Sequence, residues 1–364
     1  MSRFAQLLFQ EVLRLNQAAG RDGLQGVRTI IPTEIKKEFL KKLAKAQGQN
    51  PGEVEATSFV SATAIPQFAD SKDLSEMIRT DQTLSQFPRF SALALNPKGV
   101  LTTAEQGFKT VGCVISPSAT FTQKNMGTTP EQMEQRLKEM WEIAREKDLD
   151  LRLYLSMCFY DPFTREDISP QVVADLMLKA SEMGIKRLVI SDTTGHGTPQ
   201  QTKTIIEECF RRGIPVENME VHFHDTYGSG IANSLAAIDM GIISVDSSAG
   251  GIGGCPFAPG ASGNIATEDL VWALERSGVR TGISMEKLME ATTYIFESCF
   301  PNQKPTSRVY NALMSKSPEE RSKAFRDLQP YLYETEKSSP QPQTQPLVTK
   351  RLATETQTLQ AGHN

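Results

Sequence analysis

The chain contains four histidines, and two of them stand one residue apart in Val221-His222-Phe223-His224. Side chains two apart on an extended strand share a face. Both imidazoles then point one way, into a barrel mouth, while Met219, Val221 and Phe223 point the other way. Two imidazoles on one face suit a divalent cation. A pair of hydrogen-bonded core histidines would satisfy the same spacing. Asp22 and Asn264 favour the cation, because both could supply oxygen ligands from neighbouring strand ends. A mixed nitrogen and oxygen set without thiolate suits Mg²⁺ or Mn²⁺ better than structural zinc.

A second cluster surrounds Cys255. Residues 250–254 hold four glycines in five positions. No Lys-Ser/Thr follows them, so they are a poor phosphate cradle. Glycine hinges do suit a mobile loop that closes Cys255 over a site and excludes water. Gly and Pro flank Cys255, unlike Cys113, Cys158, Cys209 and Cys299, which sit in apolar or helical context and read as inert buried thiols. Arg21 adjoins Asp22 in a glycine-bounded turn. It is either a surface ion pair or a donor fork for a developing oxyanion. Glu55 and Asp192 end apolar strands, as partners of a site or as polar caps. The cluster Lys36, Lys37, Lys41, Lys42 reads as a solvated helix face.

Eight apolar segments can carry these groups: 11–16, 52–57, 90–95, 109–115, 150–156, 186–191, 219–224 and 242–247. Amphipathic helical stretches lie between most of them. Thr129-Pro130-Glu131-Gln132 and Thr198-Pro199-Gln200-Gln201 each offer a hydroxyl N-cap, a first-turn proline and a Gln at the third position. Ser169-Pro170 repeats the first half of that pattern. Gly184, Gly213 and Gly241 stand where helices end. The rhythm predicts an α/β fold, a (β/α)₈ barrel over residues 1–280, with an open doubly wound sheet as the runner-up. Catalytic groups in such barrels come from the C-terminal ends of strands. Residues 281–335 read as extra helices packed on the barrel. Residues 336–364, rich in Pro, Gln and Thr, read as a disordered tail.

Composition excludes other classes. Among 364 residues, 39 Lys+Arg against 43 Asp+Glu leave a net charge of −4, which argues against nucleic-acid binding. No apolar run approaches the roughly 20 residues that cross a bilayer. Five unpaired cysteines and no signal or transit segment point to the cytosol, with mitochondria as the alternative.

Four motifs carry a resemblance. Gly-Arg-Asp-Gly-Leu-Gln, Glu-Ala-Thr-Ser-Phe-Val-Ser, Val-His-Phe-His-Asp-Thr-Tyr-Gly and Gly-Gly-Cys-Pro-Phe-Ala-Pro-Gly-Ala-Ser-Gly-Asn-Ile-Ala-Thr-Glu-Asp-Leu resemble those of 3-hydroxy-3-methylglutaryl-CoA (HMG-CoA) lyases, in order, over roughly residues 12–300. The resemblance implies cleavage of HMG-CoA, or a close 3-hydroxy-3-alkylglutaryl-CoA, to acetyl-CoA and acetoacetate or another 3-oxo acid. It implies Asp22, His222, His224 and Asn264 as metal ligands, and Arg21, Asp22, Glu55, Asp192 and Cys255 as catalytic residues. It also implies an acyl-CoA substrate and a homodimer. Departures fall at the mouth: Gln17-Ala18-Ala19-Gly20 precedes Arg21, Asp161 follows two aromatic residues in the loop after strand five, and His196 enters Thr-Gly-His-Gly. These positions shape the acyl pocket. A Claisen-condensing synthase of the same superfamily is the alternative, and a non-catalytic barrel comes third.

Overall fold

A computed structural model describes residues 13–87, 89–253 and 263–333. Eight parallel strands form a closed barrel. They are β1 (Arg14–Gln17), β2 (Val54–Ser58), β3 (Phe90–Leu93), β4 (Thr110–Ile115), β5 (Asp150–Leu155), β6 (Arg187–Asp192), β7 (Met219–Phe223) and β8 (Ser244–Ser247). Each strand pairs with its neighbour in sequence, and β8 closes on β1 in the register Arg14↔Ser244 to Gln17↔Ser247. Closure settles the choice between barrel and open sheet that local pattern left open. The eight segments expected from sequence all become strands with ends displaced by a few residues at most; β1, β2 and β6 run one residue past the expected end, and the first loses its expected start, part of which lies outside the described residues.

The alternation of each strand sorts its side chains. Val221 and Phe223 of β7 join the large apolar cluster between strands and helices, which holds most of the core. A smaller cluster of Leu93, Val114, Tyr154 and Val189 comes from β3 to β6. Gly112 opens space beside it: a Cβ there would meet Leu93 and the Tyr154 ring at 3.1 and 3.2 Å, and Glu55 Oε1 at 3.5 Å.

The expected helix starts form by the expected chemistry. Thr129 and Thr198 each accept from the backbone of the third helical residue, whose Gln side chain returns the bond. Ser169 differs. It occupies the N-cap position of helix Pro170–Glu182 but makes no capping bond, because its hydroxyl is turned to the Gln171 side chain at 2.6 Å. Gly184, Gly213 and Gly241 end their helices at φ of 97°, 79° and 99°, a region closed to most L-residues. The lysine cluster is not a uniformly solvated face. Lys36 is buried, and its ammonium donates to the Gln67 carbonyl and to Asp70 at 2.8 Å. Its position on helix Thr33–Gln47 faces the turn after β2, which sequence spacing alone does not reveal.

Beyond the barrel, helices Met285–Cys299, Arg308–Met314 and Pro318–Leu328 contribute Leu288, Ile295, Leu313 and Phe325 to the same apolar cluster. The tail expected over 336–364 lies outside the described residues.

Candidate active site and metal centre

Three loops and one strand bring the site together. β1 runs through Gln17 into Gly20 and then a single helical turn, Asp22–Gln25. A Cβ at Gly20 would collide with the Glu55 carbonyl oxygen, so only glycine lets this turn sit against β2. The turn carries Arg21 and Asp22, both buried. β7 supplies His222 and, just past its end, His224. An antiparallel bridge pairs His224 with Asn264. The ligand atoms of Asp22, His222 and His224 all lie within 4.8 Å of one another.

The bonding pattern shows what is satisfied and what is not. Asp22 Oδ1 accepts from Arg21 Nη1 at 2.6 Å and from Gln25 Nε2. Asp22 Oδ2 accepts from Asn264 Nδ2 at 2.8 Å and lies 3.6 Å from His224 Nε2. Asn264 Oδ1 and His224 Nδ1 are buried with no hydrogen-bond partner among the described residues. Buried polar atoms are ordinarily paired, and an orphan is a sign of an absent ion or water. An orphaned amide oxygen beside a carboxylate and two imidazoles fits a hard or borderline divalent cation.

Electrostatics agrees. Burial alone would raise the Asp22 carboxyl, yet the adjacent Arg21 guanidinium holds it well below the usual carboxylate range. Burial likewise works against a charged Arg21, but Glu55 and Asp22 keep it firmly protonated. Burial lowers His224, which favours the neutral imidazole that can donate a lone pair to a cation.

Glu55 does not end its strand. It is the second residue of β2, next to a bulge at Glu55/Thr57. Its carboxylate accepts from Arg21 Nε at 3.1 Å and from the Tyr154 hydroxyl at 2.9 Å. Burial raises its pKa, with Arg21 opposing. Asp192 ends β6 and is buried, but its carboxylate is turned to the following loop. It accepts from the amides of Gly195 at 2.9 Å, His196 at 3.1 Å and Gly197 at 2.8 Å. Burial pushes it up to about 6 against those amides. Asp192 thus builds the turn beside His224, whose backbone amide donates to the Asp192 carbonyl at 3.2 Å, while its carboxylate is taken up by the loop amides. Within that turn the His196 ring stacks on Tyr160, centroids 4.1 Å apart, and meets the edge of Tyr227.

Cys255 lies outside the described residues. The chain on either side of its segment is anchored at the site: Ile252 O accepts from Asn264 Nδ2 at 3.2 Å, and Gly263 O accepts from Asp225 N at 3.0 Å. The Gly250 amide donates to both oxygens of Glu268 at 3.0 Å. Of the other cysteines, Cys113, Cys158 and Cys209 are buried; burial pushes the Cys113 and Cys209 thiols up to about 12, as unreactive thiols should be. A groove of about 690 Å³ opens beside the site, bounded by Gly23, Arg28, Gly250, Gly253, Phe296 and Lys304.

Four residues of the site carry no assignment from sequence. Arg152, Tyr154, Glu220 and Asp246 form a buried network beneath the imidazoles, with His222 Nδ1 3.0 Å from Asp246 Oδ2. The signal was present: Leu151-Arg152-Leu153-Tyr154-Leu155 alternates polar and apolar, which puts Arg152 and Tyr154 on the face opposite the leucines.

Residues 13–295 match the HMGL-like family model. A mitochondrial hydroxymethylglutaryl-CoA lyase of Rattus norvegicus is 37% identical over 82% of this chain and 89% of its own. A cytoplasmic 3-hydroxy-3-methylglutaryl-CoA lyase of the same species is 35% identical over 83% and 85%. Relatives of both compartments therefore resemble the chain. The hydroxymethylglutaryl-CoA lyase of Pseudomonas aeruginosa superposes with a TM-score of 0.77 at 32% identity, covering 85% of this chain and all of that one. An HMG-CoA lyase of Acinetobacter baumannii, solved with coenzyme A and 3-methylmalate, superposes at 0.76 and 32% identity over 84% and 96%.

Proposed function

Because the chain belongs to the HMGL-like family and is a lyase, we propose that it cleaves HMG-CoA, or a close 3-hydroxy-3-alkylglutaryl-CoA, to acetyl-CoA and acetoacetate or the matching 3-oxo acid. The observation that carries this reading is the convergence of Asp22, His222, His224 and the orphaned Asn264 oxygen at the barrel mouth. These four residues would hold Mg²⁺ or Mn²⁺. A divalent cation there supplies Lewis acidity toward the substrate's 3-hydroxyl and distal carboxylate.

The remaining work falls to this chain's own groups. Cleavage breaks the bond between the second and third acyl carbons. The hydroxyl proton leaves, the third carbon becomes a ketone, and the bonding pair passes to the thioester as an enolate. Arg21, fixed by Glu55 and Asp22, presents its guanidinium to that enolate oxygen. Asp22 would hold the cation, and Asp22 or a group near it is the candidate base that takes the hydroxyl proton. Cys255 is proposed from its motif as the acid that gives a proton to the second carbon and completes acetyl-CoA. The groove beside Gly23 and Gly250 suits a coenzyme A moiety, with Arg28 and Lys304 available to its phosphates. A homodimer is proposed on the resemblance alone.

The test is product formation from HMG-CoA by purified protein, with Mg²⁺ or Mn²⁺ and with EDTA. Equimolar acetyl-CoA and acetoacetate, abolished by EDTA, is the expected result. Metal-independent cleavage, or condensation of acetyl-CoA with a 2-oxo acid instead, would overturn the reading.

A further inference from the structure

Asp246 on β8 and Arg152 on β5 are among the most deeply buried charged side chains of the chain, and neither has a role in the reading above. Asp246 Oδ1 accepts from Arg152 Nη2 at 2.6 Å and from Asn16 Nδ2 at 2.9 Å. Asp246 Oδ2 accepts from Arg152 Nη1 at 3.2 Å and faces His222 Nδ1 at 3.0 Å. The strand register makes this pairing compulsory, since Asp246 and His222 are direct partners across β7 and β8.

We propose that Asp246, clamped by Arg152, is the positioning residue that fixes His222 in its Nδ1–H form and so presents Nε2 to the site. The inference rests on the metal reading above for its consequence, but not for its geometry. A carboxylate held by a guanidinium is ionised and can only accept. Nδ1 must therefore carry the proton, and the lone pair falls to the other nitrogen. A carboxylate behind a ligating imidazole also raises its basicity and holds its ring.

The same guanidinium reaches the other half of the site. Arg152 Nη1 donates to the Tyr154 hydroxyl at 2.6 Å, and that hydroxyl donates to Glu55, the partner of Arg21. Arg152 Nε is held by Glu220 at 2.6 Å. One planar fork thus has two arms, Asp246–His222 and Tyr154–Glu55–Arg21. A lysine could not replace it, since a single ammonium lacks the fixed spread of donors.

The arms can be cut separately. In Asp246→Asn, the two donors at the Oδ1 position keep the amide oxygen there. The amide nitrogen then faces His222, and His222 must accept at Nδ1 and carry its proton on Nε2. Imidazole ¹⁵N shifts in histidine-labelled, metal-free protein report this directly, with four histidines to assign. The expected result is Nδ1–H for His222 in the native protein and Nε2–H in Asp246→Asn. Mn²⁺ binding by the variant should be about 10–100-fold weaker. Tyr154→Phe cuts the other arm only, so its His222 signal and its Mn²⁺ affinity should stay native. A native His222 protonated on Nε2 would overturn the proposal, and this spectrum needs no variant to fold. Equal loss of Mn²⁺ affinity in Tyr154→Phe and Asp246→Asn would also overturn it, as general loosening. A native protein that binds no Mn²⁺ would sink the metal reading, while the metal-free spectra would still decide the tautomer.

Discussion

The barrel interior has two floors that treat buried charge differently. Toward the N-terminal ends of the strands, Arg187 and Arg152 are interleaved with carboxylates. Arg187 holds Glu220 and Glu53 at 2.6 Å each and Asp150 at 2.9 Å, and Arg152 holds Glu220 and Asp246 at 2.6 Å each. Burial would raise Glu220, but the two guanidinium groups hold it down at about 2. At the mouth, one guanidinium serves two carboxylates, and beside it an imidazole nitrogen and an amide oxygen have no partner among the described residues. A buried charge needs a partner wherever it lies. The lower floor brings its own counterions; the upper floor holds buried polar atoms without partners among the described residues, which fits the cation proposed above. Removing a group below should therefore cost stability first, and removing one above should cost activity first.

The largest expected effect is at the mouth. His224→Ala or Asp22→Ala should lower turnover at least about 10³-fold, near 4 kcal/mol of barrier, while the melting temperature moves little. Turnover within tenfold of native would break the contrast. Below, Arg152→Met leaves Asp246 buried without its guanidinium and Glu220 with Arg187 alone, and should destabilise the fold by about 3–5 kcal/mol. Denaturant unfolding of the metal-free protein reads this; a change under about 1 kcal/mol would mean the lower floor is not held by its ion pairs.

Glu268 sharpens the contrast, because it is buried with donors but no cation. Burial pushes it up to about 7, against the donors Thr292 and Gly250. The native chain then keeps a proton that the unfolded chain sheds above about 4.5, so stability falls as pH rises from 4.5 to 7 and is level beyond. Glu268→Gln should gain on the native protein across that window by at most about 3 kcal/mol. A stability difference that is constant from pH 4.5 to 7 would contradict the assignment. The smallest effect belongs outside both floors. Thr198→Ala removes one reciprocal cap and should cost about 1 kcal/mol with kcat/KM unchanged; a fall in kcat/KM would tie that helix to the site.

Legibility followed the range of the interactions. His222 and His224 could be placed on one face because two-residue alternation is local, and Thr129, Thr198 and the C-terminal glycines announced their helices for the same reason. The union of Asp22 with Asn264, 242 residues apart, needed the barrel to be assumed, and the assumption fitted. Arg152, Tyr154 and Asp246 escaped because their meaning lies in inter-strand register: Asp246 opposes His222 only once β8 lies beside β7. Lys36 read as a surface residue because its partners, the Gln67 carbonyl and Asp70, are more than thirty residues away. Asp192 stood at a strand end, as a site residue would, but the sequence does not say which way its carboxylate turns.

The most direct measurement is anomalous diffraction from crystals of this protein grown with Mn²⁺. A single strong peak within bonding distance of Asp22, His222 Nε2, His224 and Asn264 Oδ1 is the predicted result. A mouth without a peak at saturating Mn²⁺, or a peak bound by the carboxylates of the lower floor instead, would contradict the account.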